Sequence, residues 1–485
     1  MSSATILPRS RAQIVGLITG LLIFCVMVLS PVPEALSREA WTVAALAAAM
    51  VVLWVTEALP IPATALMPLV VLPMAGVSSL REASAYYMSP IVVLLMAGFM
   101  IAKAIEKWQL HERIALFVVA KVGTSPPALI AGFMISSALL SMWISNTATA
   151  LMMTPIALSV SRAVVGPSSD TSSFTIALVL AVAYACSIGG LATPVGSPTN
   201  LIVIGYLSEQ GIDIAFADWM SFGLPVVLCI LPMAWFILSG RAKRGTQIAP
   251  QDPSGSRDVF KIIAEARSAL GPITTPEKRV LMVFALIAFS WMFSRPLRGL
   301  PLLENLNDQI IAVAGAIMLF AMPSGAKEAR SAPLLDWRTA EGIPWGVVLL
   351  FGGGLSLAGA MSQTGLATAI AGLFAGLSGA PDLVLILVVT LLILSMTEVT
   401  SNVATVSALL PMVGALAIAT DTDLLTLVAP LGLAASCAFM LPMATGPNAV
   451  AFASGQVTLS EMARTGVAIN IVSAIIITLL TFIII

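Results

Sequence analysis

A polar triplet set in the middle of a long apolar stretch occurs twice in this chain. The first stretch, SSALLSMWISNTATALMMTPIALSV (136–160), centres on Ser145-Asn146-Thr147, and the second, ILSMTEVTSNVATVSALLPMVGALA (393–417), on Ser401-Asn402-Val403. Superimposing Asn146 on Asn402, 256 positions later, also matches Ser145 with Ser401, Ala148 with Ala404, Thr149 with Thr405 and Pro155 with Pro411. The first triplet lies inside 125–161, 37 residues without a charge. One membrane-crossing helix needs only about 20 residues and is most apolar at its centre. A re-entrant helical hairpin, two half-length helices meeting at the triplet, satisfies both facts. Non-helical backbone at that depth is tolerated only where it lines a protein or aqueous cavity. Two matching hairpins therefore predict a duplicated fold with two facing sites.

The rest of the chain agrees with a membrane setting. Hydrophobic residues make up 59%, charged residues 10%, and mean hydropathy is +1.01, whereas soluble domains carry about a quarter charged residues. The net charge of −1 and the lack of any charge block argue against nucleic acid as a partner. Cys25, Cys186, Cys229 and Cys437 lie in apolar segments without CxxC spacing, so packing is expected rather than disulfide or metal roles. His111, the single histidine, sits in KAIEKWQLHER and is read as interfacial.

Taken in order, a polar start (1–13, with Arg9 and Arg11) leads into a first membrane helix, 14–30, read as a span rather than a signal peptide. Further spans are expected near 40–59, 61–75 and 89–108, then an amphipathic surface stretch, 109–122, and the first hairpin. Residues 172–206 form a broken span, interrupted by GGLATPVGSPTN, and 219–240 a sixth. A polar loop (241–279) separates these from spans near 280–294, 310–322 and 343–377. The glycine run Gly352-Gly353-Gly354 in the last of these is expected to serve close helix packing. The second hairpin (382–419), a second broken span (424–455, interrupted at MATGPNA) and a last span (465–485) follow.

The expected fold is thus an all-α polytopic membrane protein, with 11 transmembrane spans plus two re-entrant hairpins in an inverted repeat. An N-terminus in the cytoplasm and a C-terminus outside put 19 of the 23 Lys and Arg on the inner side, as the positive-inside rule demands. Inverted repeats with sites between broken helices are a transporter architecture.

No enzyme constellation is expected, because the apolar core has no histidine, and the missing Walker motifs argue against a pump driven directly by ATP. Four uncharged breaks remain: Ser145–Thr147, Thr193–Asn200, Ser401–Val403 and Thr445–Asn448. Half-helix N-termini there would present N–H groups to an anion, and carbonyl, hydroxyl and asparagine oxygens would suit sodium. The hairpin tips and broken spans contain no Lys, Arg or His, so a bound dianion would need co-bound cations for neutralisation. Glu398 and Glu57 are read as hydrogen-bonding supports rather than proton relays.

The segments WISNTATALMMTPIALS, GSPTN, TEVTSNVAT and MLPMATGPNAVAFASG resemble the divalent anion/sodium symporter (DASS) family over essentially the whole chain. The resemblance implies a homodimeric, elevator-type transporter of the bacterial inner membrane, taking up C4-dicarboxylates (succinate, malate, fumarate) with Na+ and no organic cofactor. Residues 1–124 and 280–377 would be scaffold, 125–240 and 378–485 the transport domain, and 241–279 a cytoplasmic loop. Carried over, one sodium site would use Ser141, Ser145, Asn146 and Gly196, and the other Thr397, Thr400, Asn402 and Ala444. Substrate would meet Asn146, Thr147, Ser197, Pro198, Asn402, Val403, Thr445 and Gly446. Val403 stands where many bacterial members have threonine, and Gly446 where a second proline is usual, which bears on substrate identity. The alternatives are a divalent-anion exchanger (dicarboxylate, citrate or sulfate) of the same fold, or a channel or sensor, for which no attached domain is seen.

Overall fold

The computed structural model describes residues 10–123, 125–165, 172–245, 253–327, 330–377 and 379–485. The polar start up to Arg9 and residues 246–252 of the 241–279 loop lie outside these. The chain is all-helical, and among the described residues eight helices are long and apolar enough to cross a membrane, with six shorter apolar helices beside them.

The first part runs α1 (Arg11–Leu29), α2 (Arg38–Val55), α3 (Ile61–Thr64), α4 (Pro68–Met74), α5 (Leu80–Ala85), α6 (Pro90–Lys107) and α7 (Leu110–Val122). The expected third span, 61–75, is broken at Ala65–Met67. Pro68 has no N–H to donate to the Thr64 carbonyl, and the Ala65 carbonyl is used elsewhere, accepting the Tyr87 hydroxyl. Gly353 packs against the same carbonyl, where a Cβ would come within 2.2 Å. The glycine run thus serves close packing, as its sequence suggested. His111 is buried on α7, its Nδ1 3.3 Å from the Ile105 carbonyl oxygen. It is turned inward against the protein, and burial holds its pKa below the ordinary value.

The first hairpin consists of α8 (Pro126–Ser141) and α9 (Asn146–Val165), followed by the broken pair α10 (Ser173–Gly189) and α11 (Pro198–Glu209). Every residue of α10 from Phe174 to Gly189 is buried, which is why its sequence is apolar all round; α8, α9 and α12 (Phe216–Gly245) pack about it. The polar loop holds an unforeseen helix, α13 (Pro253–Ala269), lying on α7 and α9. Ile263 is buried on it while Lys261 and Glu265 pair outside at 3.9 Å; the polarity that suggests a loop is one face of a surface helix.

Then come α14 (Thr275–Met292), α15 (Ser294–Leu297), α16 (Asp308–Ala321), α17 (Trp337–Ala340), α18 (Trp345–Gln363) and α19 (Leu366–Leu373). The second hairpin is α20 (Asp382–Thr397) and α21 (Asn402–Thr420), and the second broken pair α22 (Leu424–Ala435) and α23 (Gly446–Ala453). The last helix, α24 (Leu459–Ile484), starts six residues before the expected 465, because Thr458 and Glu461 form a capping box there.

Candidate functional site

Four helix N-termini converge on one cavity of about 860 Å³: those of α9, α11, α21 and α23, beginning at Asn146, Pro198, Asn402 and Gly446. The hairpin turns fall slightly earlier than the triplets suggested. Residues 142–145 and 398–401 make the bends, and the asparagines open the following helices. Serine is a natural residue to precede a helix, and the Ser145 hydroxyl accepts from the Ala148 N–H at 3.4 Å.

Beneath each asparagine lies the same cluster of oxygens. Ser141 Oγ contacts both Asn146 Oδ1 and the Cys186 carbonyl, the latter at 2.6 Å. Thr397 Oγ1 lies 2.5 Å from Asn402 Oδ1 and 2.9 Å from the Ala435 carbonyl. A hydroxyl has one proton, so in each cluster one acceptor is left facing another oxygen. Three converging oxygens with a single hydrogen have a chemistry compatible with a hard cation.

The broken helices are braced in register. Asn200 Nδ2 donates to the Gly190 and Thr193 carbonyls, at 2.9 and 2.8 Å; Asn448 Nδ2 donates to Ala438 and Leu441, both at 3.0 Å. In each case the acceptors lie ten and seven residues back, in the unwound segment. Ser197, Thr199 and Ser436 close a triangle of hydroxyls, each side 2.9 Å, linking the two broken pairs.

Of the residues singled out in the sequence, Ser145, Asn146, Thr147, Gly196, Ser197, Pro198, Thr400, Asn402, Val403, Ala444, Thr445 and Gly446 all line the cavity. Ser141 and Thr397 are buried just behind. Thr400 Oγ1 is turned to the Met396 carbonyl at 2.7 Å and to Thr405 Oγ1 at 2.5 Å. Thr147 seats directly on Gly446, where a Cβ would fall 2.0 Å from its hydroxyl. At Gly190 a Cβ would come within 2.9 Å of the Asn146 amide nitrogen.

Glu398 is fully engaged: its carboxylate accepts from the N–H groups of Phe439, Met440 and Leu441 at 2.9 to 3.2 Å and from Asn470 Nδ2 at 2.6 Å. Glu57 lines the cavity in a left-handed conformation (φ 47°), its carbonyl accepting from Gln13 at 3.2 Å.

Two features escaped the sequence. Trp143, in the first bend, stacks on Phe216 and Trp291 (centroids 5.9 and 6.4 Å) and meets Phe284 edge-on at 5.0 Å. Lys103 of α6 lines the cavity, so the site region does have a cation nearby, although Glu106 pairs with it at 2.7 Å. Tip and broken-span composition could not show this, because α6 is remote in sequence.

Residues 11–484 match the family described as the sodium:sulfate symporter transmembrane region. The chain belongs to the divalent anion/sodium symporter family. The sodium-dependent dicarboxylate transporter SdcS of Staphylococcus saprophyticus is 38% identical over 479 residues, 97% of this chain and 91% of that one. SdcS of Staphylococcus aureus is 36% identical over 483 residues, 98% and 92% of the two chains. Among solved structures, Neisseria gonorrhoeae MtrF (15% identity, TM-score 0.58, covering 99% of this symporter-family chain and 96% of that one) and the Alcanivorax borkumensis YdaH transporter (14%, 0.60, 98% of each) share the fold.

Proposed function

We propose that this chain is a sodium-coupled symporter carrying C4-dicarboxylates such as succinate, malate and fumarate into the cell. The observation that carries the reading is the pair of one-proton oxygen clusters beneath Asn146 and Asn402, on a cavity bounded by four helix N-termini. The sodium-dependent dicarboxylate transporters similar to it over nearly the full length support both the ion and the cargo class.

Each asparagine amide joins the two ligands. Its Oδ1 belongs to the cation cluster, and its Nδ2 is a donor suited to a carboxylate. Sodium bound with Ser141 or Thr397 and the Cys186 or Ala435 carbonyl would orient the amide and supply charge that the dianion needs in a low-dielectric site. Ser145 with Gly196, and Thr400 with Ala444, would complete the two ion sites. Thr147, Ser197 with Pro198, Thr445 with Gly446, and Val403 would form the walls around the cargo. Ion and anion affinity are then linked, because neither set of contacts is complete alone.

Orientation and motion belong to the same proposal. The cavity is lined by Ser10 and Gln13 near the start of α1, Glu57 after α2, Lys103 and Glu106 near the end of α6, and Gly342 and Pro344 just before α18. With the N-terminus in the cytoplasm, as the Lys and Arg distribution favours, all of these ends lie on the inner face, which makes the conformation inward-facing. Residues 125–240 and 378–485 would move as the transport domain against a scaffold of 1–124 and 280–377, within a homodimer in the bacterial plasma membrane.

Purified protein in liposomes tests the central point. An inward sodium gradient should drive uptake of labelled succinate, and potassium in its place should not. Uptake that depends on internal dicarboxylate and ignores sodium would make the protein an exchanger.

A further inference from the structure

We infer that Lys103 is a second contact point for a cargo carboxylate, on the path between the hairpin tips and the inner mouth of the cavity, and that Glu106 holds it in reserve. The inference rests on the dicarboxylate reading above and adds a site to it.

The placement comes from α6. Its residues Leu95, Gly98, Phe99, Ala102, Lys103 and Glu106 all line the cavity, and their spacing of three and one marks a single helical face. Gly98 lies against the turn of the first broken pair, where a Cβ would be 3.2 Å from Val195 Cγ1. Gly98 therefore marks the level of the Gly196 region. A helix rises about 1.5 Å per residue, so Lys103 is about 7.5 Å further along, and Glu106 about 12 Å. The flexible four-carbon stem of a lysine lets its ammonium sweep much of that interval. Cargo leaving the tips for the inner solution passes this face.

Charge gives the placement its meaning. Lys103 is the single Lys, Arg or His among the described residues lining the cavity; the other charged groups there are Glu57 and Glu106. Lys103 and Glu106 are 2.7 Å apart, with their side chains 31% and 20% exposed. They are thus within reach of a solute in the cavity. Glu106 presents to the ammonium the same chemical group as the cargo. A carboxylate of the departing dianion can replace it, since one carboxylate is exchanged for another and no ammonium is left bare. With Glu106 in place the lysine adds no net attraction, so the tips depend on sodium for positive charge. The pair is an exchangeable stop that does not become a trap.

Binding of labelled succinate to the detergent-solubilised full-length protein in saturating sodium tests this, with a panel of four variants. Lys103→Met should weaken binding about tenfold, and Lys103→Arg should bind like the wild type. Glu106→Gln removes the competing carboxylate and should tighten binding about tenfold, a size typical of focused charge in a cleft. Adding Lys103→Met to Glu106→Gln should cancel that gain, since coupled residues are not additive. With succinate set at the same multiple of each variant's dissociation constant, the sodium concentration for half-saturation should not move in any of them. A helix-surface ion pair with a purely structural role would instead shift the melting temperature and leave succinate affinity alone. Unchanged affinity in Lys103→Met, or no tightening in Glu106→Gln, overturns the inference while wild-type binding and uptake still support the function. Absence of sodium-dependent succinate binding in the wild type overturns both.

Discussion

The two hairpin tips share their oxygen clusters but are anchored through different groups. In the first half the unwound segment donates to the tip: Thr193 Oγ1 gives its proton to the Met142 carbonyl at 2.5 Å. In the second half the tip accepts through a side chain, with the Glu398 carboxylate gathering three successive N–H groups of the unwound segment. Met142 and Glu398 occupy the same place, one residue after Ser141 and Thr397 and four before the asparagines. Non-helical backbone in a membrane must be satisfied somewhere: in the first half a tip carbonyl is met by a side-chain hydroxyl, and in the second three unwound N–H groups are met by a side-chain carboxylate. What the two halves hold in common, the asparagine, the hydroxyl five residues before it and a carbonyl from the broken helix, is the part that the proposed ion chemistry requires.

Substitutions can break this comparison at the shared part, at the divergent part, or between the halves. Asn146→Ala and Asn402→Ala should each reduce sodium-driven succinate uptake at least a hundredfold in liposomes while the purified protein stays monodisperse, because each removes an ion ligand and a cargo donor together. Uptake close to wild type in either would take that tip out of the site. At the anchors, Glu398→Ala strands three backbone N–H groups, one buried and two half-buried, at up to about 1–3 kcal/mol apiece, and should lower the melting temperature by several degrees. Met142→Ala keeps its carbonyl and should have a much smaller effect; equal losses would erase the distinction between the anchors.

Between the halves, Gly446→Ala would force its Cβ onto Thr147 and should cut uptake about tenfold, an energy of the size that overpacking brings. Thr147→Ala in the same chain should recover part of that loss, and failure to recover would show that the contact does not matter. The smallest effect is expected at Val403→Thr, which adds one hydroxyl to the second tip. It should shift the preference among succinate, malate and fumarate by a few-fold and leave the sodium requirement unchanged, as a competition panel would show.

Much of this site was legible because membrane chemistry makes polar residues conspicuous. Asn146 and Asn402 stand out in apolar stretches, and the breaks at GGLATPVGSPTN and MATGPNA could not be continuous helix. Repetition at a fixed offset then tied the pieces together. Contributions from backbone or from remote helices stayed hidden: the Cys186 and Ala435 carbonyls carry no side-chain signal, and Lys103 reads as one charge near the end of a span. Asn470 could have been noticed, since it is the one amide side chain in an otherwise apolar final span. Pro68 marks the break in 61–75 only in part; the rest depends on Tyr87 and Gly353 arriving at Ala65, contacts that no local pattern encodes.

The ring stack around Trp143 bears on how the first tip could leave its neighbours. Phe216 and Trp291 lie 4.6 Å apart and nearly parallel, and the Trp143 indole rests against both. Flat apolar faces held by contact alone can slide apart without leaving any donor or acceptor bare in a dry environment. A joint of this kind would let the tip part from Phe284 and Trp291 of the proposed scaffold and reseat with no helix needing to unravel.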